Sequence, residues 1–235
     1  ASGIGNVSSY SAYSSIDGQT NLVAGSNGTI VNGTGNVVAY SDLNSVDGVG
    51  NQVVNGSDLN VVVGAGNQVD NSDLNFVTGI GNQIDPSYLN TVTGSFNQVT
   101  DSALNGVVGN RNQVVNSNLN GVVGSLNTVT NANLNGVAGW GNNVAGNYDN
   151  AIGNTVNGSF NNVTDSSGNF VSGAGNQVVG YWNGASVNQG VLNNVVGTGN
   201  QITGGGDLNN VFGSYNQVNG TSRSGVLVGN NNQTF

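Results

Sequence analysis

The chain has 235 residues, eleven acidic side chains, two cations (Arg111 and Arg223) and a formal net charge of −9. It contains no Lys, Glu, His, Cys or Met. This composition gives no basic footprint for nucleic acid, no His or Cys ligands for a metal and no apolar run long enough for a membrane helix.

From the N-terminus, a lone segment at Asn6 is followed by paired N-x-V-x segments, A and then B. The A segments start at Ser14, Thr29, Asn44, Asn60, Asn75, Asn90, Asn105, Asn120, Asn135, Asn154, Asn169, Asn193, Asn209 and Gly225. Each B segment starts seven residues later, whereas the step from B to the next A varies from eight to seventeen residues. A period near fifteen with one rigid half is the signature of a single structural unit copied along the chain.

Within each segment the third residue is almost always β-branched, as in Val31, Val92 and Val171 for A and Val38, Val99 and Val178 for B. Alternation of this kind predicts short strands with one buried face. Glycine at the end of most A segments and the density of Asn exclude helix. The predicted fold is all-β: a parallel β-roll or β-solenoid of about fifteen coils, treated as one domain over 1–235, with two five-residue strands per coil. At ~4.8 Å per coil it would form a rod roughly 70 Å long. The Asn that opens each strand shares the inward parity of Val, so stacked amides are expected to form an inner ladder. The leucines before the A segments (Leu43, Leu59, Leu74, Leu89, Leu104, Leu119, Leu134, Leu192 and Leu208) are expected to plug a corner of the core. The B-to-A side takes the insertions, near 145–152 and 180–191. Pro86, the single proline, falls on that side in a mid-chain turn.

Outward positions carry whatever recognition exists. On the B face Gln52, Gln68, Gln83, Gln98, Gln113 and Thr128 form a candidate surface ladder. Phe96, Trp140, Phe160 and Tyr215 are read as lining one position of the A-to-B turn, and Phe76, Phe170 and Phe212 as protruding from the A face. The carboxylates at Asp42, Asp58 and Asp73 recur at equivalent corners, an acidic ridge and at most a weak Ca²⁺ site. No catalytic constellation, cofactor motif or metal cluster is present in the sequence, which reads as non-enzymatic. Eight N-x-S/T sequons, such as those at Asn27 and Asn162, arise readily from this composition.

The unit seen in Asn90-Thr91-Val92-Thr93-Gly94 and Asn127-Thr128-Val129-Thr130 resembles the x-x-N-x-V-x-G repeat of the ryegrass-type ice-binding proteins. The resemblance implies a β-roll with inner Val and Asn ladders and ice bound on a flat face bearing outward Thr, Ser and Val. Thr100, Thr128, Thr130, Thr164 and Thr203 are the residues of the B face that match it. The phrase G-x-G-N-Q (Gly64–Gln68, Gly79–Gln83) is also loosely similar to curli-like fibre repeats. The Ala-Ser-Gly opening reads as a processed, secreted chain. No capping element is recognised at either end of the repeat, so head-to-tail self-assembly into an extracellular filament is the expected function. Ice binding is the alternative; ice or a glycan would be the other partners, with no nucleic acid and no membrane insertion.

Overall fold

A computed structural model of the chain describes residues 1–147, 151–182, 187–188, 192–204, 206–219 and 224–234, with backbone alone at 181–182 and 187–188. Contacts cluster into two compact units, Ala1–Arg111 and Asn112–Phe235. Each is a parallel β-solenoid. In the first, A strands run from Ser15–Gln19 to Gly106–Asn110 and B strands from Val7–Ser9 to Gln98–Ala103. In the second, A strands run from Gly121–Ser125 to Val226–Asn230 and B strands from Gln113–Val115 to Gln233–Thr234. Within a unit, like strands pair without offset, as in Phe76↔Thr91, Val77↔Val92 and Gly79↔Gly94, or Gly136↔Thr155 and Val137↔Val156.

The alternating pattern sets the core directly. The central Val or Ile of nearly every described strand is inaccessible to water, and burying such a side chain contributes roughly 1.5–3 kcal/mol. Beside these columns run two asparagine ladders. In the B ladder the Asn82 backbone N–H and Nδ2 both donate to Asn67 Oδ1, each at 3.0 Å. Asn82 Nδ2 also reaches the Thr78 carbonyl at 3.3 Å and the Gly94 carbonyl of the next coil at 2.9 Å. In the A ladder Asn60 repeats the bonds to Asn44 Oδ1 and donates to the Ser72 carbonyl at 2.7 Å. One amide thus links three successive coils, through the side chain of the coil before and backbone groups of its own coil and the next.

The insertions leave these ladders whole. Asn154 still donates to Asn135 at 2.8 Å across the first insertion, and Asn193 to Asn169 at 2.9 Å across the second. Both insertions lie on the B-to-A side. The first adds a short pair, Ala132–Asn133 with Ala151–Ile152. The second contains an antiparallel pair, Tyr181–Trp182 with Val187–Asn188. The positions 148–150, 183–186 and 189–191 of these expected insertions lie outside the described residues.

Three features differ from expectation. Most B strands are three residues long, such as Gln113–Val115, not five. The chain leaves them through a left-handed residue (Tyr40 φ 55°, Asn71 φ 46°, Asn116 φ 48°) that ends the pleat. Pro86 occupies that column and cannot take positive φ. It lies inside a longer strand, Gln83–Tyr88, as left-handed Asp101 of the same column lies inside Gln98–Ala103, and not in a turn.

A third inner ladder follows the left-handed corner. Ser26, Ser41, Ser57, Ser72, Ser87 and Ser102 are buried. The hydroxyls from Ser26 to Ser87 each accept the serine N–H of the next coil, as Ser26 Oγ does from Ser41 N at 3.0 Å. Most also donate to a carbonyl just upstream, Ser26 to Ala24 at 3.0 Å.

The leucine column is not a plug. Leu43, Leu59, Leu74, Leu89 and Leu104 have φ between 57° and 60°, a conformation that costs about 1–2 kcal/mol per residue. It swings the side chain outward, so each leucine is about half exposed and Ser and Asn fill the corner instead.

Candidate assembly surface

The B face places Gln52, Gln68, Gln83 and Gln98 in one outward column of the first unit. Gln113 and Thr128 pair in the second unit. Among the described residues, the Gln52, Gln68 and Gln83 amides are not bonded to one another in the way the inner asparagines are.

Thr100 belongs to the first unit, next to Asp85. Thr128 and Thr130 share one strand of the second. Thr130, Ala145, Thr164 and Val179 then follow one another in a single outward column. Thr164 Oγ1 donates to Asn162 Oδ1 at 3.1 Å, and Thr203 Oγ1 to Asn219 Oδ1 at 2.8 Å. This column combines methyl groups with the tethered hydroxyl of Thr164.

Burial holds the Asp85 carboxyl above the usual carboxylate range, helped by the neighbouring Asp70 and Asp101 charges. The folded state therefore binds this proton more tightly than the unfolded chain. Stability rises as pH falls through the raised pKa, and ionised Asp85 costs stability at neutral pH. Asp85→Asn is expected to raise the urea midpoint at pH 7, with a gain that vanishes below the ordinary carboxylate pKa. Equal midpoints at pH 7 would refute this.

The acidic corner has a structural role. Asp42 Oδ1 accepts the Asn27 backbone N–H at 2.6 Å. Asp58 accepts that of Asp42 at 2.6 Å, and Asp73 that of Asp58 at 2.8 Å. Asn133 does the same for Asn118 at 2.7 Å. Each carboxylate thus completes a backbone N–H of the preceding coil, and among the described residues no three acidic groups converge to hold a metal ion.

The aromatic residues need one correction of register. Phe96, Phe160 and Tyr215 are left-handed corner residues. Trp140 instead ends an A strand and pairs with Ser125 and Ser159. Its ring meets Phe160 edge-on, with centroids 4.5 Å apart and planes at 76°. The Arg111 guanidinium lies 5.8 Å from the Phe96 ring centre, within reach of a cation–π contact.

These rings follow a rule that was not read from the sequence. A Cβ at Gly81 would come within 2.8 Å of the Phe96 ring, at Gly141 within 3.1 Å of Phe160, at Gly199 within 2.9 Å of Tyr215 and at Gly25 within 2.9 Å of Tyr40. Each ring covers a glycine at the same corner one coil earlier. The signal was available as a glycine preceding each such ring by one period.

On the A face, Phe76 and Phe170 are exposed as expected, and Phe212 only at the margin of exposure. The chain matches no known family model, and it matches no curated protein.

Proposed function

We propose that this chain is a non-enzymatic structural protein that assembles with copies of itself, coil upon coil, outside the cell. The observation that carries the reading is the equivalence of the coils. Within each unit every coil offers the next the same in-register backbone groups, and the B asparagine ladder runs in one direction through its coils. A coil from another copy presents the complementary set, so copy-to-copy stacking repeats a contact already made many times within the chain. Such a contact is heterologous and propagates without closing. A thiol-free chain also keeps its covalent structure in an oxidising compartment, which suits an extracellular role.

Electron microscopy and fibre diffraction of the purified chain test this reading. Filaments with an axial spacing of ~4.8 Å are expected. Discrete particles of constant mass at every concentration would sink it.

A second reading is favoured by one observation. The column Thr130, Ala145, Thr164 and Val179 presents small methyl-bearing side chains in register, the chemistry of the ice-facing surface in the family that the repeat resembles. On this reading the same preparation shapes growing ice crystals, and Thr130→Lys removes the effect. Crystals that grow as in buffer alone would discard it.

A further inference from the structure

We infer that the A face of the second unit pairs with the same face of a second copy, about a two-fold axis along the Thr155–Ser159 strand. This face consists of the A strands Gly121–Ser125, Gly136–Trp140, Thr155–Ser159, Phe170–Ala174 and Asn194–Thr198, joined residue on residue. The pairing deepens the self-assembly reading, but it uses a lateral face and not the stacking of coils.

Charge permits a second copy as the occupant, and the fit of large against small side chains singles it out. The chain carries a net charge of −9, yet no outward residue of these five strands is charged. Two copies of this face can therefore meet without like-charge repulsion.

The backbone supplies an independent observation. Gly121 and Gly136 point outward, their φ is not positive, and a Cβ at either would meet nothing within 4 Å. The fold of one copy therefore does not require glycine there. Glycine inside a strand costs about 0.5–1 kcal/mol relative to alanine, and it marks places where another chain approaches closely.

The pattern of large and small side chains supplies the geometry. A two-fold axis along the strand direction reverses the order of the coils and keeps each outward column opposite itself. Centred on Thr155–Ser159, it sets Phe170 into the hollow over Gly136 and Trp140 over Ala174, and it brings Val196 against Val123. Phe170 and Trp140, the two bulky aromatic side chains of the face, are each 46% exposed, and both meet a residue with little or no side chain. The edge-on Phe160 ring holds Trp140 at the rim. Because the contact is isologous, each fit occurs twice. Five strands at ~4.8 Å and five residues at ~3.3 Å project roughly 400 Å² per copy, below the size of stable interfaces and in the class of transient ones, so the pairing is weak, reversible and concentration-dependent.

Sedimentation equilibrium of the full chain from micromolar to millimolar concentration tests the inference. The wild type is expected to self-associate reversibly. Gly136→Phe and Phe170→Asp should each weaken association at least tenfold without lowering the melting temperature, since both side chains point away from the core. The double variant Gly136→Phe/Phe170→Gly exchanges knob and hole, and it should restore association. If filaments form, the single variants should narrow lateral bundles without shortening filaments, which separates this contact from coil stacking. A chain that shows no lateral association, association unchanged in Gly136→Phe or Phe170→Asp, or a double variant that stays weakened would overturn the proposal.

Discussion

Gly94→Ala is expected to cost on the order of 4 kcal/mol or more, the range reserved for backbone conflict in a packed interior. Gly94 has φ 120° and a Cβ there would overlap the Gly109 carbonyl of the next coil. That carbonyl also accepts Asn97 Nδ2 at 2.9 Å, so it cannot withdraw without breaking the asparagine ladder. Gly106→Ala, in the adjacent A strand, should leave stability unchanged or raise it by about 0.5–1 kcal/mol. Gly106 has no positive φ and open space around its Cβ site. Urea unfolding of the two variants checks the contrast. Similar midpoints would show that the inter-coil approach at Gly94 is not limiting.

The second large effect concerns the amide ladder. Asn82→Ala should cost roughly 2–4 kcal/mol, since each buried group left unpaired costs about 1–3 kcal/mol. Asn82→Asp should cost more at neutral pH, roughly 3–5 kcal/mol for a buried, unpaired charge. Its oxygens can still accept from Asn97 N and Nδ2. The donor is lost, however, and three acceptors then face the carboxylate: Asn67 Oδ1 and the Thr78 and Gly94 carbonyls. These contacts raise the folded-state pKa of the new carboxyl. The variant should therefore regain stability as pH falls through that pKa, because the neutral acid can donate again. Urea midpoints at neutral and acidic pH test this. An Asn82→Asp deficit that does not shrink in acid would contradict the assigned bonding.

The fold was legible because its strongest determinants are periodic. Val at alternating positions and Asn of the same parity leave one arrangement that buries both, and the unchanged A-to-B spacing sets the register. What escaped were the corners, where residue type and burial part company. Ser26 and Ser41 are of a type common in solvated turns and were not singled out from the sequence, yet only a small side chain fits the inward slot after a left-handed turn. The sole departures among its clearly buried members up to Ser166, Ala132 and Ala151, are also small. Leu43 and Leu59 read as core because they are apolar, but positive φ turns them outward. Asp42 and Asp58 read as a charged ridge. Asn27, Asn118 and Asn133 share that column with the aspartates, which was the sign that reach to a backbone N–H, not charge, is what these side chains provide. Outward residues of both faces were correctly separated from the core. Which of them act together depends on register between coils, and the shift of Trp140 by one place shows how easily that is misjudged.

The pairing of a corner ring with a glycine one coil earlier gives the repeat a grammar of succession. A coil bearing Phe96 or Tyr215 can follow only a coil that leaves the corner bare, while a bare coil accepts almost any successor. Recombination that duplicated or shuffled single coils would therefore break the chain at some junctions and pass unnoticed at others. Exchanges that carry a ring and its preceding glycine together would be tolerated, so the heritable module in such a lineage is two coils long although the structural one is a single coil.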